Sequence, residues 1–225
     1  MKFDLHSHTV YSSESKWPFE SIIKPLQMIK TAIKVGLDGI AVTDHDTLKG
    51  AIECMKIVRR RKLSLKIILG VEITSEIGHI LGLNIEDWDV RRGMGIEETI
   101  DVVKERGGIV VPAHPFASNP FRKGVREDIG KFDFDGVEVL NYHTSREDNE
   151  KALRAARKIG LGITAGSDSH IISDIGNVWV FSDDDDIINS ILKGRTKVVG
   201  NEMSNLGRYT YQLNKILQLS RIFSA

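Results

Sequence analysis

Short apolar runs alternate with longer amphipathic stretches along the whole chain, and this alternation limits the fold more than any other feature. Residues 3–5, 39–43, 66–73, 79–83, 109–112, 136–140 and 162–165 are short and mostly apolar, the pattern of buried strands. Helical patterns lie between many of them. In 18–35, Ile22, Ile23, Leu26, Ile29 and Ile33 recur at helical spacing, and Gly36 closes the helix. Further helices are expected from Thr47 through Val58, over 96–105 and over 147–159. Late strands at 178–181 and 197–199 flank a helix at 185–193, and an amphipathic helix over about 208–223 follows. Such alternation predicts an α/β fold with a mainly parallel sheet and helical crossovers.

Polar residues cluster where the apolar runs stop. His6 and His8 follow the first run, Asp44 and His45 the second, and Glu72 lies near the end of the third. His114 follows 109–112, and Asp168 and His170 follow 162–165. In parallel α/β folds, functional groups collect at the carboxyl ends of strands, so these side chains should meet on one face. His6 and His8, two apart in extended chain, point the same way. Neutral imidazoles mixed with carboxylates, and no thiolate, are a donor set for Zn, Mn or Fe.

At 225 residues, with 41% hydrophobic and 28% charged residues, the chain fits one domain with a sizeable core. Its formal net charge is zero, so bulk charge offers no footprint for nucleic acid or an anionic membrane. The basic run Arg59–Arg60–Arg61–Lys62 closes a helix, where positive charge suits the dipole. Cys54 has no partner for an intrachain disulfide, which fits a reducing compartment. No apolar run approaches the roughly 20 residues a membrane helix needs, and no signal peptide opens the sequence. A cytoplasmic location is the expectation.

Taken together, the motifs resemble those of the polymerase and histidinol phosphatase (PHP) family. Asp4-Leu5-His6-Ser7-His8-Thr9, Ile40-Ala41-Val42-Thr43-Asp44-His45-Asp46-Thr47, Gly70-Val71-Glu72-Ile73, His79-Ile80-Leu81-Gly82-Leu83, Val111-Pro112-Ala113-His114-Pro115 and Ala165-Gly166-Ser167-Asp168-Ser169-His170 carry the resemblance, in family order. It implies a distorted (β/α)7 TIM-like barrel. Residues 1–225 would form a single PHP domain, with the helix over about 208–223 packed on it or on a partner.

The resemblance also implies two or three divalent metal ions. His6, His8, Glu72 and Asp168 would hold the first, and Glu72 would bridge to a second completed by His79 and His114. His45 and His170 would bind a third with an acidic residue from the loop after His8. Related phosphoesterases often carry Asp where this chain has Ser13; the adjacent Glu14 is the candidate substitute. Two nearby ions would acidify a bridging water enough to give hydroxide near neutral pH. His170 and His45 are the candidate proton donors. Asp44 joins the catalytic set as a residue that, with Asp4, orients ligating imidazoles. Asp46, before Thr47, reads as a helix cap.

Arg122 and Lys123 follow His114 in a loop, and Asn141 and His143 follow another strand; these four are the candidate substrate contacts. Glu138 either hydrogen-bonds a ligand or is a satisfied interior carboxylate, and both readings stay open. The expected function is a metal-dependent phosphoesterase hydrolysing a small phosphomonoester, a nucleotide or sugar phosphate. The alternatives are a histidinol phosphatase, an exonuclease-like phosphodiesterase acting on short oligonucleotides, and a non-catalytic metal-binding module. The expected partner is a small phosphorylated substrate rather than a membrane, with self-association through the last helix left open.

Overall fold

The computed structural model describes residues 1–14, 20–87, 92–117, 124–204, 207 and 211. Nine strands are formed among them: β1 (Lys2–Asp4), β2 (Gly39–Val42), β3 (Lys66–Thr74), β4 (His79–Leu83), β5 (Ile109–Pro112), β6 (Gly136–Asn141), β7 (Gly162–Gly166), β8 (Val178–Phe181) and β9 (Lys197–Gly200). The helices are α1 (Pro25–Lys34), α2 (Lys49–Arg61), α3 (Ile96–Glu105), α4 (Arg146–Ile159) and α5 (Ile187–Leu192).

Seven strands form one curled sheet in the order β5-β4-β3-β2-β1-β8-β9, and β6 and β7 pair separately. The β6–β7 pair closes the curl between β5 at one end and the chain just past β1. On one side Asp135 N–H, before β6, donates to the Val110 carbonyl of β5. On the other, Leu5 N–H, just past β1, donates to Ala165 of β7 at 3.2 Å, and Ser7 and Ser169 form a parallel bridge. The result is the distorted, TIM-like barrel of the expected fold class, with β1–β2, β2–β3 and β6–β7 parallel.

Its departures from simple alternation have local causes. β3 and β4 are antiparallel, joined through a short link in which Ser75 N–H donates to the Gly78 carbonyl at 3.0 Å. So short a link cannot hold the crossover that parallel neighbours need. β8 and β9 are also antiparallel to their neighbours. α1 begins at Pro25 rather than near 18, because proline suits the first helical turn but cannot donate within it. α2 begins at Lys49, after Leu48, which offers no side-chain cap. Asp46 is no helix cap: its carboxylate accepts from Thr74 N–H at 2.7 Å and Thr74 Oγ1 at 3.0 Å, tying the loop after β2 to β3.

α4 shows how sequence sets an element. Ser145 accepts from Asp148 N–H at 3.1 Å, Glu147 and Asp148 occupy the positive first turn, and Arg157 and Lys158 the negative last one. Gly160, at φ 74°, then takes the left-handed turn that stops the helix.

The core has two layers. Ile23, Met28, Ile29, Cys54, Val103 and Ala152 pack between strands and helices. Phe3, Leu5, Ala41, Ile68, Leu81 and Val111 fill the second layer with Ile187 and Ile191 of α5. α5 lies across the amino ends of β6 and β7, where a side chain at Gly136 or Gly162 would meet Ile191. That end is closed, which leaves the carboxyl ends for the site. The basic run of α2 is exposed in its last turn. Among the described residues, no helix is long and apolar enough to cross a membrane. The expected C-terminal helix lies outside them except for Gly207 and Tyr211, both helical.

Candidate metal centre

The strand ends bring His6, His8, His45, Glu72, His79, His114, Asp168 and His170 together. Three backbone devices aim them. A parallel bridge sets His45 beside Glu72. His114 and Asp168 sit at φ 30° and 49°, a region non-glycine residues rarely adopt, so each chain turns sharply just past its strand. Asp168 N–H then donates to the His6 carbonyl at 2.8 Å. Gly166 admits this approach, since any side chain there would run into His6.

Glu72 is at the centre. Its Oε2 lies 3.3 Å from His6 Nε2, 3.2 Å from His8 Nε2 and 3.2 Å from His45 Nε2. Its Oε1 lies 2.9 Å from His79 Nδ1 and 3.0 Å from His114 Nε2. One carboxylate thus faces two ligand sets. Asp168 Oδ1 joins the first, 3.2 Å from His8 Nε2 and 3.7 Å from His6 Nε2.

Hydrogen bonds fix which ring nitrogens face inward. Ser12 Oγ donates to Asp44 at 3.1 Å, so its lone pairs accept from His8 Nδ1 at 2.9 Å and His45 N–H at 3.0 Å. His8 therefore carries its proton on Nδ1 and turns the Nε2 lone pair inward. His6 Nδ1 lies 2.9 Å from Glu138, and His170 Nδ1 2.8 Å from the Asp168 carbonyl. The outward nitrogens of all three rings donate.

This donor set fits a cation. His6 Nε2 and His8 Nε2 lie 3.1 Å apart with their lone pairs converging, an arrangement that repels unless a positive charge lies between. Donors about 2.0–2.1 Å from one tetrahedral ion lie about 3.3–3.4 Å apart. His6 Nε2 and His8 Nε2 lie 3.1–3.7 Å from each other and from the facing oxygens of Glu72 and Asp168. A second group comprises His45, Glu72 and His79, and a third His8, His45 and His170.

The charges show the same demand. Burial pushes the Glu72 carboxyl up, but His45, His6 and His79 outweigh it and hold it well below the usual range. Burial opposes a proton on His6, yet Glu138, Asp168 and Glu72 together raise it well above an ordinary histidine. His45, likewise buried, is driven up to about 9 by Glu72 and Glu20. Burial lowers His79, and the neighbouring His114 and His45 add to this against Glu72.

The other expected site residues divide. Asp44 does not reach the centre: its carboxylate accepts from Thr9 N–H at 2.6 Å, Thr9 Oγ1 at 2.7 Å and Ser12, so it acts through Ser12. Asp4 is likewise buried behind the ligands, accepting from Ser167 N–H at 2.9 Å and Gly176 N–H at 3.1 Å; burial pushes its carboxyl up to about 6. Asn141 is fully buried and braces the ligands, donating to Glu138 at 3.1 Å and Asp168 at 3.3 Å, which leaves it no face for a substrate. His143 pairs with Asp174 at 3.0 Å, with its ring 6.3 Å from that of His170, beside the centre. Arg122 and Lys123 lie outside the described residues, as does the side chain of Glu14, whose backbone ends a 3-10 helix over Val10–Glu14.

Two participants go beyond the expected set. Glu20 Oε1 lies 3.3 Å from His45 Nε2, an acidic group beside one of the rings expected to hold a third cation. It stands in the stretch read as helix, which hid it. Ser12 was hidden because only folding brings it to Asp44, although its four-residue spacing from His8 was a local signal.

A family model described as PHP-associated matches residues 146–196. An uncharacterised protein from Methanocaldococcus jannaschii is 37% identical over 163 residues, 70% of this chain and 92% of that protein. The 5'-3' exoribonuclease Rnm of Salmonella typhimurium is 35% identical over 89 residues, 37% of this chain and 28% of the enzyme. Among solved structures, a two-domain protein from Bacteroides vulgatus containing a predicted PHP-like metal-dependent phosphoesterase shares the fold. It has a TM-score of 0.69 and 20% identity, covering 89% of this chain and 65% of that one.

Proposed function

Since this chain belongs to the PHP family, we propose that it is a metal-dependent phosphoesterase acting on a small phosphomonoester, a nucleotide or sugar phosphate. The observation that carries the reading is Glu72, whose two oxygens face two separate histidine sets. Divalent ions held there would offset phosphoryl charge and make a nucleophile available at neutral pH.

The chain's own residues hold, orient and donate. Asp44 through Ser12 keeps the ligating nitrogen of His8 free. Asn141 holds Asp168 toward the imidazoles. His170, its Nδ1 fixed on the Asp168 carbonyl, turns Nε2 toward the site and is our candidate for giving the leaving oxygen its proton. His45, set between Glu72 and Glu20, is placed with the cation ligands.

The test is phosphate release from a panel of nucleotides, sugar phosphates and histidinol phosphate, with Mn²⁺ or Zn²⁺ added and a chelator control. Metal-dependent release from one small-substrate class is expected, with His6→Ala silent but folded. Release undiminished by chelator would contradict the reading. Likeness to the exoribonuclease over 37% of the chain favours one second reading, a phosphodiesterase working from an oligonucleotide end. Stepwise nucleotide release from short oligonucleotides, with the monoester panel silent, would select it.

A further inference from the structure

We infer that Glu138 is a positioning residue that ties the two ligand sets together and fixes the ligating form of His6. Its Oε1 lies 2.9 Å from His6 Nδ1. Its Oε2 accepts from the backbone N–H of His114 at 2.6 Å and from Asn141 Nδ2 at 3.1 Å. His6 belongs to the ligand set on one oxygen of Glu72, and His114 to the set on the other. The same Asn141 amide reaches Asp168 at 3.3 Å. One buried carboxylate, 1% exposed, thus touches three ligands or their braces.

The strand is built for this. β6 slips register against β7 between Glu138 and Leu140, the mark of a bulge. Residues three apart in a regular strand face opposite sides, but here Glu138 and Asn141 meet. The bond to His114 N–H also holds the turn at φ 30°, a conformation that persists only when its surroundings enforce it.

Hydrogen-bond polarity makes the inference testable. All three partners of Glu138 donate: the His114 N–H, the Asn141 amide and, in its ligating form, His6 Nδ1–H. Only a group with acceptors on both oxygens satisfies them. In Glu138→Gln the shape is kept, but one end of the side chain becomes a donor. If that amide faces His6, it demands an acceptor at Nδ1 and sends the ring proton to Nε2, where it blocks ligation. If the amide turns the other way, donors face donors at His114 and Asn141.

The experiment is zinc titration of the wild type, E138Q and E138D, with histidine ¹⁵N spectra of the zinc-loaded proteins. E138Q is expected to bind zinc about 10–100-fold more weakly, the usual effect of removing a group that orients a metal ligand. E138D keeps two acceptor oxygens and should recover part of the affinity. Wild-type His6 should carry its proton on Nδ1. If Glu138 only fills space, isosteric E138Q will bind zinc as the wild type does, which would overturn the inference. Should E138Q not fold, the wild-type spectrum decides, and an unprotonated Nδ1 on zinc-bound His6 would overturn it equally. The inference rests on reading the cluster as a cation centre. Zinc binding by neither protein would sink that reading, whereas equal binding by both sinks only the role of Glu138.

Discussion

A single hydroxyl decides whether His8 can act as a ligand. Ser12 has one proton, which goes to Asp44, so it can only accept from His8 Nδ1. Ser12→Ala should therefore weaken metal binding about 10–100-fold with little change in fold, measurable by zinc titration. Asp44→Asn should act in the same direction, since the amide can present a donor where Ser12 needs an acceptor. His45 gives a pH dependence. Its proton is held up to about 9 instead of the ordinary 6.5, so a cation must displace that proton at neutral pH. Metal affinity should rise as pH climbs from about 6.5 to about 9. Stability of the metal-free protein should move oppositely. A raised histidine stabilises fully below about 6.5, and that contribution is lost as pH passes about 9. Melting curves of chelated protein across this range check the sign. His6, His8, His45, Glu72, His114, Asp168 and His170 were legible because the strand-end rule needs only sequence, whereas His79, which opens β4, came only from the family resemblance. Ser12, Glu20 and the choice for Glu138 were not legible, because each depends on a partner distant in sequence.

Elements explain what periodicity can and cannot say. The apolar runs announced themselves as strands, but a run does not carry its direction. β4 was read within a mainly parallel sheet, yet the link at 75–78 makes it a hairpin with β3. The hairpin matters for the site: it places His79 at the start of β4 opposite Thr74, within reach of Glu72. A bulge was equally invisible in β6, where Gly136-Val137-Glu138-Val139-Leu140 reads as a plain strand. Close approach of elements is a third hidden feature. Gly166 lets β7 meet the segment carrying His6, so Gly166→Ala should cost about 1–3 kcal/mol and displace His6. Urea unfolding and zinc titration of that variant should fall together. Ser145→Ala, far from the centre at the start of α4, should cost about 1 kcal/mol and leave zinc affinity unchanged.

At the scale of the molecule, the barrel closes one end with α5 and leaves buried carboxylates and imidazoles crowded at the other. Such crowding is costly unless compensated, so cations should stabilise the whole fold. Zinc at about a hundredfold above its dissociation constant should contribute about 2.7 kcal/mol and raise the melting temperature by about 5–10 °C. An unchanged melting temperature would mean that the cluster binds no metal. The most direct measurement is anomalous diffraction from crystals of the zinc-loaded protein. Two peaks are expected on either side of the Glu72 carboxylate, one among His6, His8 and Asp168, the other beside His79 and His114. Zinc found only elsewhere, or none near Glu72, would contradict a centre built on that shared carboxylate.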